Sequence, residues 1–583
     1  MKKRNFFAGL ATFGISCVAA AVLVAQSTVT PERLLSSGSG AEKGNWLTNH
    51  GSYSSQRFSD LNEINSGNVK NLKMAFAVSL GGIEGTAWGV PSNQITPLVN
   101  NGKMYTTDPW GTPYKIDVSS GKKGFIEWVG DTGIEKDPEG PYLAANRGLA
   151  LWGDLVITNL IDGRVVAFDD KTGEVVWDVK VATEQFEGFS GAPLAVKDKI
   201  IVGQSWGDWA TRGWLAALDA KTGKELWRFH TVPSPDEAGG DTWKCEKTDN
   251  PDCWKSGGAS LWVTGSFDPD TNALIYGTGN PWPSFDPEYR PGDNLYSDST
   301  ISVDVDTGKL NWHYQYTPGD MFDWDETGSQ LLIDKEVNGK MTKALVHFAR
   351  NGFAYTLDRT NGKFLQGSQY TDELSWTKGI DSETGKPLEY DPNLLVQVYA
   401  QGAGKRGTTI DKVCPYYLGG INFFPTAYNP KTGLAYGHSV EGCMEHTTKG
   451  VDGVWPVGGG YFTGGSFKDG ANVHGSILAM DVTTGELVKK IKRRLPAYAG
   501  VMATPDLVWV GEMDGTFSAF DANTLEEKWS FNVGSSIKAP AMSYSVDGKQ
   551  YIAILGGSQG LFNFGHADVA SIPSNNTLYV FSM

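Results

Sequence analysis

The feature that most constrains this chain is an eleven-residue phrase that returns along its length: AFDDKTGEVVW (Ala167 to Trp177), ALDAKTGKELW (Ala217 to Trp227) and SVDVDTGKLNW (Ser302 to Trp312). Worn copies read KIDVSSGKK, TLDRTNGKFLQ, AMDVTTGELVKK and AFDANTLEEKW. Each is a short apolar run, an aspartate, a polar turn around Thr-Gly, and a second apolar run that often ends in tryptophan. That order spells a β-hairpin, because glycine supplies the positive φ of a tight turn and alternating side chains flank it. Asp117, Asp169 and Asp219 stand 52 and 50 residues apart, Asp304 and Asp358 stand 54 apart, and Asp481 and Asp521 stand 40 apart. A strand repeat of roughly 40–50 residues predicts a β-propeller. The wider gaps, 85 residues from Asp219 to Asp304 and 123 from Asp358 to Asp481, each have room for a degenerate blade and inserted loops. The expected fold is all-β: an eight-bladed β-propeller with tryptophan-docking repeats, each indole packing flat on glycine-lined backbone of the next blade.

No linker-like break interrupts the repeats, so one domain over residues 45–583 is expected, not several small ones. The first 25 residues are read separately. Lys2, Lys3 and Arg4 precede an apolar stretch from Phe6 to Ala25 bounded by small residues, the pattern of an export signal peptide, and a periplasmic location follows from it. After that segment no 18-residue apolar window occurs, so no membrane span is expected once it is removed. The formal charge of −16 argues against nucleic acid and favours a basic protein partner. Cys245, Cys253, Cys414 and Cys443 remain after Cys17 leaves with the signal. An even number in an exported chain implies disulfides, here Cys245 with Cys253 and Cys414 with Cys443. No CxxCH occurs, so the sequence offers no covalent c-type haem site.

The chemistry-bearing residues are few. There is no G-x-G-x-x-G after a strand, no Walker A lysine, and the eight histidines are scattered, which excludes a histidine-rich zinc site. Polar residues concentrate in GQSWGDWATRG (203–213), GGASLWV (257–263), GTGNPWP (277–283) and TPGDMFDWDETG (317–328). Asp208, Asn280, Asp323 and Asp325 are hard oxygen donors suited to Ca2+ or a trivalent cation of similar size. Aspartates in turns also cap strands, and spacing by itself leaves that alternative open.

Beyond these readings, the stretches ANRGLAL, RGWLAALDAKTGKELW, YGTGNPWP, RPGDN, ARNGFAYTLDRTNGK and VMATP, in this order, resemble quinoprotein alcohol dehydrogenases. That family binds pyrroloquinoline quinone (PQQ) on the axis of an eight-bladed propeller. The likeness runs from about Asn45 to Phe581. It implies PQQ and one Ca2+ or lanthanide ion as cofactors, with Asp208, Asn280 and Asp323 as metal ligands and Asp323 also as catalytic base. It places Trp262 under the quinone plane and Arg350 against the quinone oxygens. Arg147, Ser190, Ser205 and Ser260 would meet the cofactor's carboxylates and rim, and Asn422 and Gln94 would be further polar contacts. Cys414 and Cys443 stand where the family has a structural disulfide. An alcohol would be the substrate, and a separate soluble cytochrome c or copper protein the electron acceptor.

The chain departs from the family pattern in places. Asp208 stands where a glutamate is usual, one methylene shorter. Asp325 resembles the second aspartate of the D-x-D signature of lanthanide-using members; residues two apart on extended backbone point the same way, so it can join Asp323 as a ligand. Calcium is the default expectation, with a lanthanide open. The vicinal cysteine pair over the second quinone face is absent, leaving Tyr142 or Leu143 for that position. Tyr498 replaces a tryptophan of the substrate wall. Trp282, Phe285, Phe423 and Phe424 are expected to widen an apolar entrance, pointing to a bulky or secondary alcohol. Two alternatives stand beside this reading: a non-catalytic propeller scaffold and a PQQ-dependent sugar dehydrogenase.

Overall fold

The structure is a computed structural model that describes residues 28–583 except 88, 90, 138–142, 338, 471 and 558–563. The export segment 1–25 and Tyr142 therefore lie outside the described residues. The fold is an all-β propeller type, with strands throughout and only short helices. Among the described residues, seven four-stranded antiparallel sheets and one five-stranded sheet succeed one another. The first runs from Leu98–Asn100 to Phe125–Val129, the second from Ala150–Trp152 to Val175–Lys180, and the third from Leu194–Val196 to Glu225–His230. The fourth runs from Ser266–Asp268 to Leu310–Gln315, and the fifth from Leu331–Val337 to Lys363–Gln369. The sixth runs from Ala427–Asn429 to Leu487–Arg493, and the seventh from Val501–Ala503 to Glu527–Asn532. In the eighth, Lys73–Ser79 pairs antiparallel with Thr577–Ser582, so the two ends of the fold share one sheet.

Each copy of the phrase is the hairpin between the last two strands of one of the first seven sheets. The ladder bulges at the same point every time, as between Ala167 and Phe168 and between Ser302 and Val303. The aspartate then closes the turn: Asp304 Oδ1 accepts from the amides of Asp306 and Thr307 and from the Thr307 hydroxyl. Gly308 completes it at φ +69°. These aspartates are turn caps, not ligands.

The wide gaps correct one expectation. Neither holds an extra four-stranded sheet: Asp219 and Asp304 belong to the consecutive third and fourth sheets, Asp358 and Asp481 to the fifth and sixth. The intervening residues form long loops and a three-stranded sheet of Thr408–Val413, Met444–Thr448 and Gly465–Asp469. The eighth sheet carries no copy of the phrase because its outer strand comes from the other end of the chain, and no turn is needed to reach it.

Successive sheets meet through the tryptophans. The indole Nε1 of Trp128 donates to Asp170 O, that of Trp177 to Ala220 O, that of Trp227 to Val305 O and that of Trp312 to Arg359 O. Trp529 donates to Leu72 O beside the eighth sheet. A Cβ added to Gly173, Gly223, Gly308 or Gly362 would come within 2.8 Å of the indole lying on it. In the fifth sheet Gln366 takes the tryptophan's place and bonds Val482 O at 3.3 Å. Both expected disulfides are formed.

Candidate active site

Every sequence-derived site residue lies just before the first strand or just after the second strand of a sheet. Gln94 precedes Leu98–Asn100, Arg147 precedes Ala150–Trp152 and Ser190 precedes Leu194–Val196. Ser260 and Trp262 precede Ser266–Asp268, Asp323 and Asp325 precede Leu331–Val337, and Asn422 precedes Ala427–Asn429. Ser205 and Asp208 follow Lys199–Gly203, Asn280 follows Ala273–Gly277, and Arg350 follows Lys340–Phe348. In an antiparallel pair the start of one strand and the end of the next lie at the same edge. All twelve side chains consequently line one cavity of about 210 Å³.

One end of this cavity is acidic. Asp208 sits in a single 3-10 turn, Gly207–Trp209, between left-handed Trp206 (φ +72°) and Ala210 (φ +60°). Its Oδ1 accepts from Asn280 Nδ2 at 3.0 Å and Ser284 Oγ at 3.2 Å. Asn280 Nδ2 is thus committed, and a cation would meet Oδ1. Asp323 is held at φ +67° by a turn in which Asp320 accepts the amides of Phe322, Asp323 and Trp324. Asp325 accepts Trp262 Nε1 at 2.8 Å and the Asn280 amide at 3.2 Å, and pairs with Arg350 Nη1. It is a buried residue of the cavity wall. Arg350 is oriented further by Tyr417 O and by Glu326, which accepts its backbone amide and His347 Nε2.

The other end is basic. Arg147 Nη1 donates to Ser190 Oγ at 2.9 Å and Trp262 O at 3.2 Å, and its guanidinium lies 4.8 Å from the Trp262 ring and 4.7 Å from that of Phe423. Among the described residues no carboxylate pairs with it, and burial lowers it to about 9. Ser190 and Ser205 share a hydroxyl contact at 3.1 Å, and Gln94 Nε2 bonds Ser92. Asn422 is turned partly to its own loop, bonding Leu418 O and the Phe423 amide.

The residues fit a cation and a planar anionic guest. Asp323 Oδ1, Arg350 Nε, Arg147 Nε and Gln94 Oε1 are buried without a hydrogen-bond partner. Burial first, and then the neighbouring Asp208 and Asp325, push Asp323 well above the usual carboxylate range; burial and Asp325 push Asp208 up to about 6. Crowded, buried carboxylates of this kind are relieved by a cation. Among the described residues, the group Glu373, Cys414 and Cys443 also brings ligand-type atoms within 4.8 Å, but its two sulfurs are joined to each other.

Several wall residues were not foreseen. Trp206, Trp209, Tyr417, Leu418 and Tyr461 line the cavity, whereas Leu143, named above for the face the cysteine pair would cover, lines it as well. Trp209 packs on Trp206 at 5.2 Å and on Tyr461 at 5.1 Å. The usable signal was aromatic residues set in glycine-rich stretches, GQSWGDW and GGGYFTGG. The expected entrance aromatics are corrected: only Phe423 reaches the cavity, with Tyr498 beside it. Trp282 is buried against Tyr289 and Trp455, Phe285 against His446 and Phe467, and Phe424 against Phe423 and Tyr498. Trp282 belongs to a small core of its own with Tyr289 and Val451, and Phe424 to a larger one.

A sequence profile described as "PQQ: Glucose/ethanol/alcohol dehydrogenase, beta-propeller domain" matches residues 46–369, more than half the chain. The chain belongs to the PQQ-dependent alcohol dehydrogenases. It is 33% identical over 582 residues to quinoprotein alcohol dehydrogenase PedH of Pseudomonas putida, covering 96% of this chain and 94% of that one. It is 32% identical to a lanthanide-dependent methanol dehydrogenase of Methylacidiphilum fumariolicum, covering 90% and 87%. Among solved structures, a europium-containing methanol dehydrogenase superposes with TM-score 0.82 at 29% identity, covering 95% of this chain and 100% of that one. This dehydrogenase is an enzyme that oxidises alcohols, which sets the scaffold alternative aside.

Proposed function

We propose that the cavity binds PQQ together with one oxygen-ligated cation and oxidises a bulky or secondary alcohol, with Asp323 as the base. The observation that carries this reading is the meeting of Asp208, Asn280, Asp323 and Asp325 with Trp262 and Arg350 in one buried cavity. When bound, PQQ supplies the two-electron acceptor and the cation polarises it while holding Asp323 ionised. Trp262 offers a flat surface whose indole N–H is already anchored on Asp325. Arg350 is available at Nε for oxygens of the guest. Arg147, with Ser190, Ser205, Ser260, Gln94 and Asn422, receives the carboxylates and rim. Asp323 Oδ1 accepts the alcohol's hydroxyl proton as hydride leaves the carbinol carbon.

Three carboxylates and an amide form a hard, strongly anionic set, and the burial of Asp325 among them favours a trivalent lanthanide over Ca2+. The substrate preference rests on the aromatic wall of Trp206, Trp209, Phe423 and Tyr461. The eight sheets are read as eight blades in a ring, five of them docked on a neighbour by tryptophan and one by Gln366, and closed by the shared eighth sheet. That arrangement is supported by the indole-to-carbonyl contacts and the terminal strand pairing. Export to the periplasm follows from the N-terminal pattern. With no CxxCH in the chain and a charge of −16, a separate cationic cytochrome c or copper protein takes the electrons.

The test is reconstitution of metal-stripped protein with PQQ and either La3+ or Ca2+, read by dye reduction with methanol, bulky alcohols and glucose. Activity is expected with La3+ and a secondary or bulky alcohol, and Asp323→Asn abolishes it with the fold unchanged by circular dichroism. Turnover of glucose above every alcohol would replace this reading by the sugar dehydrogenase. Methanol far exceeding bulky alcohols would refute the substrate class.

A further inference from the structure

Lys538 is a lysine that the fold should not tolerate. It is 2% exposed, and its ammonium has no hydrogen-bond partner. Among the described residues no carboxylate pairs with it, and its Nζ lies over the Tyr498 ring, 4.8 Å from the centroid. Burying an unpaired ammonium is among the costliest arrangements a protein can hold. Such a group is retained where a ligand supplies the missing charge.

Its position says which ligand. Tyr498 is a wall of the active-site cavity. Lys538 also borders a small enclosed void, about 10 Å³, lined in part by Gln94, Arg147 and Phe423, which line the main cavity too. That space suffices for roughly one water molecule. Four unsatisfied buried atoms belong to residues around it: Lys538 Nζ, Arg147 Nε, Gln94 Oε1 and His50 Nδ1. Arg147 in the cavity wall and Lys538 across the void behind it therefore have no carboxylate partner among the described residues, and burial pushes the Lys538 ammonium well below the usual lysine range. A neutral guest would leave both uncompensated, whereas a polycarboxylate satisfies them.

We infer that Lys538 acts with Arg147 as a second cationic anchor for the carboxylates of the cofactor, directly or through one water in the void between them. This rests on the cavity holding PQQ, as proposed above. The side chain sits idle and costly in the empty protein and becomes paired on loading. Lys538 thus trades stability of the apo-protein for grip on the anionic end of the guest, while the acidic end grips the cation.

The test compares PQQ with its trimethyl ester, which keeps the ring system and removes the charges, on apo-protein supplied with La3+. Binding is followed by quenching of tryptophan fluorescence and by the thermal shift on loading. Wild type is expected to prefer the free acid. In Lys538→Met that preference falls by about tenfold or more, the worth of one charge-assisted hydrogen bond, while the apo-protein melts higher than wild type. Lys538→Arg retains the preference. Because both ligands are measured on one variant, a general loosening of the fold cancels. An acid-to-ester preference unchanged in Lys538→Met, or apo-protein that melts lower with that preference intact, overturns the assignment and leaves a packing role. If wild type binds neither compound, it is the PQQ reading itself that fails.

Discussion

Replacing Trp312 tests whether inter-sheet docking stabilises the fold. Trp312 is 9% exposed, lies on Gly362, and donates to the Arg359 carbonyl at 3.1 Å. Truncation to alanine removes a largely buried indole, which costs about 3–5 kcal/mol, and strands a carbonyl near the chain of a buried arginine. The neighbouring sheet provides an internal control, because Gln366 occupies the equivalent position and bonds Val482 O. Trp312→Gln should therefore lose the ring but recover the hydrogen bond, ending roughly 1 kcal/mol above Trp312→Ala. The contact can also be attacked from below. A Cβ on Gly362 would lie 2.5 Å from the indole at φ +74°, so Gly362→Ala is costly in wild type. In the Trp312→Ala background only the left-handed backbone penalty of about 1–2 kcal/mol remains. Guanidinium unfolding of the metal-free protein, followed by far-ultraviolet circular dichroism, measures all four variants. A loss below about 1 kcal/mol for Trp312→Ala, or additive costs in the double variant, would refute the docking argument.

Other outcomes follow from the same contacts. Asp208→Asn removes one of three carboxylates and should weaken lanthanide binding by about tenfold or more, measured by competition with a chelator. Burial and then the Arg493 charge lower His438 to about 3. The unfolded chain therefore takes up a proton near 6.5 that the native state refuses, and stability is lost as pH falls from 6.5 towards 3, by about 1.4 kcal/mol per pH unit. The difference between wild type and His438→Gln in denaturant midpoints across that window reads this contribution; a pH-independent difference would contradict it. The Cys414–Cys443 bond closes 29 residues. Serine at both positions should cost roughly 3–4 kcal/mol by loop entropy, seen as an earlier unfolding midpoint under non-reducing conditions only.

The hairpins were legible because each needs a local device: an aspartate to cap the turn, a glycine at positive φ, an indole for the next sheet. Such devices leave a trace at fixed spacing, as in Ser302 to Trp312. The eighth sheet left none, since pairing Lys73–Ser79 with Thr577–Ser582 involves no turn. The metal-type donors were findable as oxygen ligands in glycine-containing loops, and family likeness assigned them roles. The aromatic wall was misread: nothing local distinguishes Trp206, which faces the cavity, from Trp282, which fills a loop core.

What the chain determines by itself is everything carried by neighbouring residues: strand periodicity, turn chemistry, the acidic balance and the identity of the polar loop residues. What only the tertiary structure decided is convergence. Asp325 becomes a partner of both Trp262 and Arg350, and Lys538 a buried, unpartnered amine on the same void as Arg147, through backbone closure over hundreds of residues. Charge and burial are properties of three-dimensional neighbourhoods, and a lysine written between Ile537 and Ala539 looks like any surface lysine until the fold removes its water.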